Sequence, residues 1–252
     1  MNNKILLSII TPSFNSSKTI SKTLESIKEL KDKSKFKIEH IIVDGLSKDN
    51  TINIVNSIGV SDLIISESDE GIYDAINKGI NVASGKYICC LMSDDFYSVD
   101  ELLYVVDYLN SYNYEYIVSD LIFLSNKKKY KKIKNPEKRN KALEMPMNHP
   151  CLFIRHDIQR NIGLYNLDFK ISSDYDFCIR LLNEYSDYKY INKYCVYMSD
   201  GGASDLESFR ITCKERLEIR LKYFNKSQSY YLYIKEYLTL YLRVFKRKIW
   251  LA

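Results

Sequence analysis

The sequence predicts an α/β fold: a mainly parallel central sheet flanked by helices, with further helices at the C-terminal end. Three observations carry this. Short apolar runs alternate with segments of helical periodicity from Ile5 to Met92. Acidic residues stand at the ends of two of those runs, Asp44 after Ile41-Ile42-Val43 and Asp94-Asp95 after Tyr87 to Met92. A third acidic group, Asp174 and Asp176, opens a later helical segment. Strands alternating with helices imply parallel pairing through crossover connections. In such sheets ligands sit outside the carboxyl ends of the strands. Carboxylates there do little for stability, and a close pair suits a divalent cation carrying a phosphorylated substrate.

Taken in order, Ile5 to Thr11 is a continuous apolar run that reads as a buried strand, with Pro12 turning the chain out of the sheet. Ile20, Leu24, Ile27 and Leu30 recur at helical spacing behind Ser16 and Ser17 as caps. Lys37 to Val43 is a second strand. Asp49 then caps a helix carrying Ile52, Val55 and Ile58, which Gly59 stops. Leu63 to Ser66 is a short third strand. Ile72, Ile76, Ile80 and Ala83 form the apolar face of a helix closed by Gly85, and Lys86 to Met92 is a fourth strand. Leu102 to Leu109 reads as a helix. Glu115 to Ser125 reads as a strand that folds back through Lys127-Lys128-Lys129 onto Tyr130 to Ile133. Residues 135–150 lose the alternation and read as a loop near the site. Cys151 to Ile154 is a short strand, Phe177 to Tyr185 a helix and Tyr188 to Met198 a strand, and helices around 206–224 and 229–248 close the chain.

The length of 252 residues suits one large domain with a small appendage. The net charge of +5 is uneven, because Lys214 to Ala252 holds ten Lys and Arg against three Asp and Glu. A slightly acidic body therefore carries a basic tail, which points to an anionic surface as the tail's partner. No nucleic-acid partner is expected. The abundance of Tyr reads as compositional bias. The six Cys form no C-x-x-C pair, which argues against a zinc site and for reduced thiols in a cytosolic protein. Met1-Asn2-Asn3-Lys4 runs straight into a strand-like segment too short for a signal sequence, and no apolar stretch reaches the length of a membrane span.

Thr11-Pro12-Ser13-Phe14-Asn15 offers Ser13 and Asn15 at a strand tip, which a capped turn would also do. Asp44-Gly45-Leu46-Ser47-Lys48-Asp49-Asn50-Thr51 is more specific, with Gly45 letting the backbone turn tightly. Together, T-P-S-F-N and V-D-G-x-S-x-D-x-T resemble the start of a family 2 glycosyltransferase with the GT-A fold, the Rossmann-like fold of nucleotide-diphospho-sugar transferases. The run Asp69 to Gly79 is similar to the D-x-G-I-Y-D-A-x-N-K-G signature of bacterial surface-polysaccharide members. Ser93-Asp94-Asp95 resembles the family's D-x-D-type motif in an S-D-D form. The resemblance covers about residues 4–204.

The resemblance implies roles. Pro12, Ser13, Asn15, Asp44 and Gly45 would hold the uracil and ribose of a UDP-sugar. Asp69 would approach the nucleotide with Lys78 on the same helix, although Asp74 and Lys78 also read as a plain i,i+4 pair. Ser93 and Asp94 would contact the ribose or the metal shell. Asp95 would ligate Mn²⁺ or Mg²⁺, which neutralises charge developing on the departing nucleoside diphosphate. Alignment through Phe177 and Arg180-Leu181 sets Asp174 as the catalytic base, with Ser173 where relatives carry Glu and with Asp176 as the rival. A bare N-cap at Ser173 or Asp174 is the plain alternative. His149 would touch donor or acceptor, or be a satisfied structural His. Gly201, Gly202 and Ser204 would form a loop over the diphosphate, or a simple turn. No His follows His156, so the late metal-binding His of some GT-A enzymes is missing or replaced.

The expected activity is inverting transfer of a hexose from a nucleotide-sugar, a UDP-sugar, to a polyprenyl-diphosphate-linked saccharide in O-antigen or capsule-type synthesis. Residues 1–95 would form the donor half and 96–205 the acceptor and catalytic half. Residues 206–252 would be basic amphipathic helices, seated on an anionic membrane or packed on the domain. The expected location is cytoplasmic, peripheral on the inner face of the membrane. Two other readings stand beside this one. A sugar-1-phosphate nucleotidyltransferase would need a Gly- and Arg-rich phosphate loop where this chain has Pro12-Ser13-Phe14-Asn15. A non-catalytic nucleotide-binding assembly protein at the membrane would bind UDP without turnover.

Overall fold

The computed structural model describes residues 4–125, 128–132, 145–199 and 206–249. The first half reads β1 (Leu7–Ser13), α1 (Ile20–Lys33), β2 (Ile38–Asp44), α2 (Thr51–Ile58), β3 (Leu63–Ser66), α3 (Ile72–Val82) and β4 (Tyr87–Cys90). The second half adds β5 (Phe96–Tyr97), α4 (Val99–Ser111), β6 (Tyr116–Ser125), β7 (Lys128–Lys132), β8 (Leu152–Arg155), α5 (His156–Ile162), α6 (Ser173–Glu184) and β9 (Tyr188–Ser199). Two helices follow, α7 (Leu206–Tyr223) and α8 (Lys226–Ile249).

One sheet takes the order β3-β2-β1-β4-β8-β6-β9-β5, with β7 paired to β6 outside that path. The strands up to β4 are parallel, as the alternation requires. Beyond β4 the sheet becomes mixed. β8 runs antiparallel to both β4 and β6, β9 is parallel to β6, and β5 is antiparallel to β9. An antiparallel neighbour needs no helical crossover, which is how the short β6–β7 hairpin and the four-residue β8 fit into the second half.

The pleat of β1 divides the core. Leu7 and Ile9 pack with Leu30, Leu102, Val105 and Leu109 on the α1 and α4 face. Ile10 packs with Ile76, Ile80, Phe177 and Leu181 on the α3 and α6 face. Apolar residues on both faces explain why this strand reads as a continuous run. All six cysteines are free and buried.

Three local expectations are corrected, and two short elements are new. Pro12 does not leave the sheet, because β1 continues through Ser13, paired with Asp44. The carbonyls of Ile10 and Ser13 bond toward β4 and β2 respectively. Alternation therefore turns Pro12's nitrogen to the β4 side, where β4 pairing has ended at Ile10. The side chains of Ser16 and Ser17 do not cap α1; the N-cap is Thr19, without a side-chain cap bond. Gly85 does not stop α3, which ends at Val82 with Ala83 as its C-cap. A Cβ at Gly85 would lie 2.5 Å from the Ser8 backbone nitrogen, so this glycine serves close approach to β1. The segments β5 and α5 had no separate sequence signal, since two and seven residues are too short to show a period.

His40 is buried in β2 between Thr11 Oγ1 on Nε2 (3.1 Å) and Ser61 Oγ on Nδ1 (3.0 Å). Burial, helped by Lys31 and opposed by Asp62, pushes its pKa down to about 3. The folded protein keeps this ring neutral while the unfolded chain protonates it near pH 6.5. Its contribution to stability is therefore full above that pH and is lost as pH falls toward 3. Stability at pH 5 is expected to lie about 2 kcal/mol below that at pH 7 through this group. Urea unfolding at both pH values, with His40→Gln flattening the difference, measures it.

The predicted division at residue 205 falls between β9 and α7, yet α7 is seated on α6. Ile219 packs with Tyr175 and Ile179. Arg220, fully buried, pairs with Glu236 of α8 through Nη1 and Nη2, each at 2.8 Å.

Candidate active site

A cleft of about 300 Å³ opens at the carboxyl end of β1, lined by Pro12, Ser13, Phe14, Ser16, Asp69, Gly71, Ile72, Ala75 and Ser93. In the order β3-β2-β1-β4, β1 and β4 flank the point where strand order reverses, the usual place for a ligand in an open α/β sheet. The segment after β1, which forms one wall, is latched to those after β2 and β4. Asn15 takes a left-handed conformation (φ 49°), which Asn tolerates better than most residues. Its N–H donates to Ser47 Oγ (2.8 Å) and its Oδ1 accepts from the Lys48 N–H (2.9 Å). The Ser16 N–H donates to Thr51 Oγ1 (2.8 Å), and Ser16 Oγ meets Ser93 Oγ at 2.8 Å. Asn15 thus ties loops together, whereas Ser13 and Ser93 face the cleft.

Two sequence-predicted donor residues sit elsewhere. Asp44 is fully buried, and its carboxylate accepts from Ser13 Oγ (3.1 Å), Ser47 N (2.9 Å), Ser47 Oγ and Ser66 Oγ (3.1 Å). Four protein donors thus reach its carboxylate, which lies beneath the cleft and ties Ser13, Ser47 and Ser66 together. Lys78 donates to the Ser68 carbonyl (2.6 Å) and pairs with Glu67 (3.0 Å) and Asp74 (3.1 Å). Its ammonium clamps the loop that carries Asp69 and does not line the cleft. Asp69 does line it, with Oδ1 accepting from the Gly71 N–H (3.0 Å). A Cβ at Gly45 would collide with Asp69 Oδ2, so close approach requires this glycine. Gly45→Ala is therefore expected to push the Asp69 carboxylate out of this position, which a structure of the folded variant checks.

Ser93-Asp94-Asp95 follows β4. Asp95 is 2% exposed. Its Oδ1 accepts from the Ser199 N–H (2.9 Å), and its carbonyl accepts from Thr23 Oγ1 (2.7 Å). Its Oδ2 is buried with no hydrogen-bond partner. Burial raises the Asp95 pKa to about 7, opposed by the Ser199 bond, with the Asp94 charge adding to the rise. Burial also raises Asp94. An orphaned carboxylate oxygen beside a second carboxylate fits a hard divalent cation. Among the described residues no cluster of three or more His, Cys, Asp or Glu could form a closed metal site. A cation here would complete its shell with phosphate oxygens and water, as Mg²⁺ and Mn²⁺ sites on nucleotides do.

The third acidic group is split by the structure. Asp176 is 2% exposed, pairs with Arg180 Nε (2.9 Å) and accepts from the Tyr223 hydroxyl (3.1 Å). Arg180 also donates to the carbonyls of Ile162 and Leu164. Asp176 is thus an internal strut. Asp176→Ala is expected to destabilise the fold by about 1–3 kcal/mol, through loss of the bonds from Arg180 Nε and the Tyr223 hydroxyl, read as a fall in urea midpoint. Asp174 is half-buried in the first turn of α6, and one oxygen accepts from the Tyr175 N–H (2.8 Å). Tyr73, in the first turn of α3 beside Gly71 and Ile72, adjoins it. Burial first and the Asp174 charge second raise Tyr73 well above the usual phenol range. His149 also feels Asp174, although burial dominates and lowers its pKa. Its Nε2 lies 2.6 Å from the Tyr165 hydroxyl, and Tyr165 stacks on Tyr73 and Phe177. His149 is thus a half-buried neighbour of the carboxylate. Ser173 is buried with an unpartnered hydroxyl. Gly201, Gly202 and Ser204 lie outside the described residues.

The family model described as glycosyl transferase family 2 matches residues 8–188, well over half of the chain. The chain belongs to that family. Relatives of this family 2 chain include a PGL/p-HBAD biosynthesis glycosyltransferase of Mycobacterium tuberculosis, 29% identical over 181 residues and covering 69% of both chains. An uncharacterized glycosyltransferase of Rickettsia typhi is 27% identical over 195 residues, covering 73% of this chain and 60% of its own. Among solved structures, S. aureus TarS 1-349 in complex with UDP-GlcNAc superposes with a TM-score of 0.69 at 14% identity, covering 92% of this chain and 71% of its own. This chain spans 41% of the length of another TarS crystal structure. The Pyrobaculum calidifontis mannosyltransferase PcManGT, in complex with GDP-Man and Mn²⁺, superposes with a TM-score of 0.63 at 17% identity, covering 87% of this chain and 64% of its own. These likenesses establish the GT-A fold.

Sequence reasoning missed several residues of the family 2 site. Thr23 and Ser26 share the apolar face of α1 with Ile20, Leu24 and Ile27, and a polar pair on a buried face was a usable signal. They hold the Asp95 carbonyl and the Tyr97 N–H. Tyr73 and Tyr165 lay within or near noted motifs but without a role. Ser199 gave no signal at all, because it reaches Asp94 and Asp95 only through β9. Among the described residues no helix is long and apolar enough to cross a membrane.

Proposed function

We propose that this chain is an inverting, cation-dependent hexosyltransferase that uses a UDP-sugar donor and a lipid-linked saccharide acceptor. The observation that carries the reading is the buried, partnerless Asp95 Oδ2 beside Asp94, next to a nucleotide-sized cleft. The complexes of S. aureus TarS with UDP-GlcNAc and of PcManGT with GDP-Man and Mn²⁺ support a nucleotide-sugar donor and a divalent cation. Ser13, Asp69 and Ser93 line the space for the nucleoside, with Asp44 and Lys78 holding the loops from behind. Asp94 and Asp95 would hold Mn²⁺ or Mg²⁺, which when bound offsets the charge of the departing diphosphate.

Asp174 is the base. The acceptor oxygen bonds to the anomeric carbon, the bond from that carbon to the phosphate oxygen breaks, and its electron pair leaves with UDP. The acceptor proton passes to the Asp174 carboxylate. A single displacement of this kind inverts the configuration. Asp176 is occupied by Arg180 and Tyr223, which favours Asp174. Family membership favours glycosyl over nucleotidyl transfer.

The lipid-linked acceptor and the inner membrane face as the place of action rest on α8. Tyr230, Tyr231, Ile234, Tyr237 and Leu238 are 51%, 65%, 56%, 40% and 58% exposed and recur on one helical face. Lys246-Arg247-Lys248 follow in sequence. An aromatic face with basic residues suits an anionic membrane interface, and O-antigen or capsule-type assembly uses acceptors held there. The test is a screen of UDP-sugars against polyprenyl-diphosphate-sugar analogues with Mn²⁺ or Mg²⁺, followed by NMR of the linkage. Inverted product from one donor supports the reading, whereas UDP binding with no turnover across donors and acceptors overturns it. Tyr231→Ser with Ile234→Ser is expected to lower sedimentation with phosphatidylglycerol vesicles at least tenfold.

A further inference from the structure

The α7 helix lies beyond the residues matched by the family model, yet it holds the segment that leads into α6. Glu215 is buried on α7, 7% exposed. Its Oε1 accepts from the Lys170 N–H (2.7 Å), and its Oε2 accepts from the N–H groups of Ile171 (3.0 Å) and Ser172 (2.8 Å). Three consecutive backbone donors thus converge on one carboxylate. The Ser172 carbonyl accepts from the Tyr175 and Asp176 N–H groups, starting the first turn of α6 around Asp174. From the other side the Tyr73 hydroxyl donates to the Ile171 carbonyl (2.7 Å).

A charge-assisted bond is shorter and about twice as strong as a neutral one. Three such bonds to adjacent residues leave the 170–172 backbone little freedom, and Asp174 is two residues further on. The chemistry benefits, because a base displaced by about 1 Å from its working position can cost about 10²-fold in rate. Nothing in the 170–172 segment lines the donor cleft, so the effect should fall on turnover and spare donor binding.

We infer that Glu215 is a positioning residue for the base, acting through the 170–172 backbone, and that α7 is therefore part of the catalytic machinery. The inference rests on Asp174 being the base. The experiment measures kcat and UDP affinity for Glu215→Ala, Asp174→Asn and the double variant, with the melting temperature of each. The expected result is a kcat about 10²-fold lower in Glu215→Ala, unchanged UDP affinity, and no further loss when the substitution is added to Asp174→Asn. Residues acting through one another are non-additive in this way. If Glu215→Ala does not fold, Glu215→Gln keeps one carbonyl acceptor and should show a kcat loss of about tenfold by the same reasoning.

A folded Glu215 variant with wild-type kcat overturns the inference, as does an equal extra loss in the Asp174→Asn background. Full turnover in Asp174→Asn overturns the base assignment and the inference together. Loss in Asp174→Asn with none in folded Glu215→Ala overturns the inference alone.

Discussion

Asp174→Asn is expected to lower kcat between about 10² and 10⁴-fold, the range that general-base catalysis supplies, while UDP binding and the melting temperature stay near wild type. Asn keeps the shape of Asp and an oxygen for the Tyr175 N–H, so the first turn of α6 retains its bond. The variant loses only the ability to accept a proton. UDP affinity should hold because Asp174 does not line the cleft formed by Ser13, Asp69 and Ser93. Steady-state kinetics beside calorimetric UDP titration reads both. A kcat within threefold of wild type would remove Asp174 from the base role, and Asp176, tied to Arg180 and Tyr223, is not free to replace it.

Asp95→Ala is expected to abolish Mn²⁺- or Mg²⁺-stimulated transfer, with a loss of about 10³-fold or more, since removing one stabiliser of developing charge costs about 10²–10³ by itself. The fold should survive. Asp95 is buried with one oxygen unpartnered, and burial lifts its pKa to about 7, so the apo protein gains little from that carboxyl. The lost partner is the Ser199 N–H, a cost of about 1 kcal/mol. Manganese titration followed by electron paramagnetic resonance, with and without UDP, should show tight binding only in the wild type. Unchanged manganese affinity in Asp95→Ala would sink the cation assignment even if activity fell.

The order of elements from β1 to β4 was legible because each buried strand is apolar on both faces and each helix carries one apolar stripe. The second half was less so. β8 has four residues and β5 two, and their pairing with β4 and β9 is antiparallel, a choice set by neighbours distant in the chain. The site divides in the same way. Ser13, Asp69, Ser93, Asp94 and Asp95 stand in contiguous motifs at strand ends, so sequence alone marked them. Asp44 and Lys78 stand in the same motifs but are turned to scaffold by partners that the motif does not name, Ser13 and Ser66 for one and Glu67 and the Ser68 carbonyl for the other.

By itself, then, the sequence determined the family, the succession of elements in the first half and the acidic motifs at the strand ends, because those are written in local periodicity and in short motifs. Only the tertiary structure decided which of those acids face the cleft. It separated Asp174 from Asp176 through Arg180 and Tyr223, left Asp95 with an unpartnered oxygen beside the one that Ser199 reaches, and brought Glu215 from α7 onto the backbone just before Asp174. The physical reason is the same in each case: a carboxylate's role depends on how many donors reach it and how much water is excluded, and both are properties of chain segments far apart in sequence.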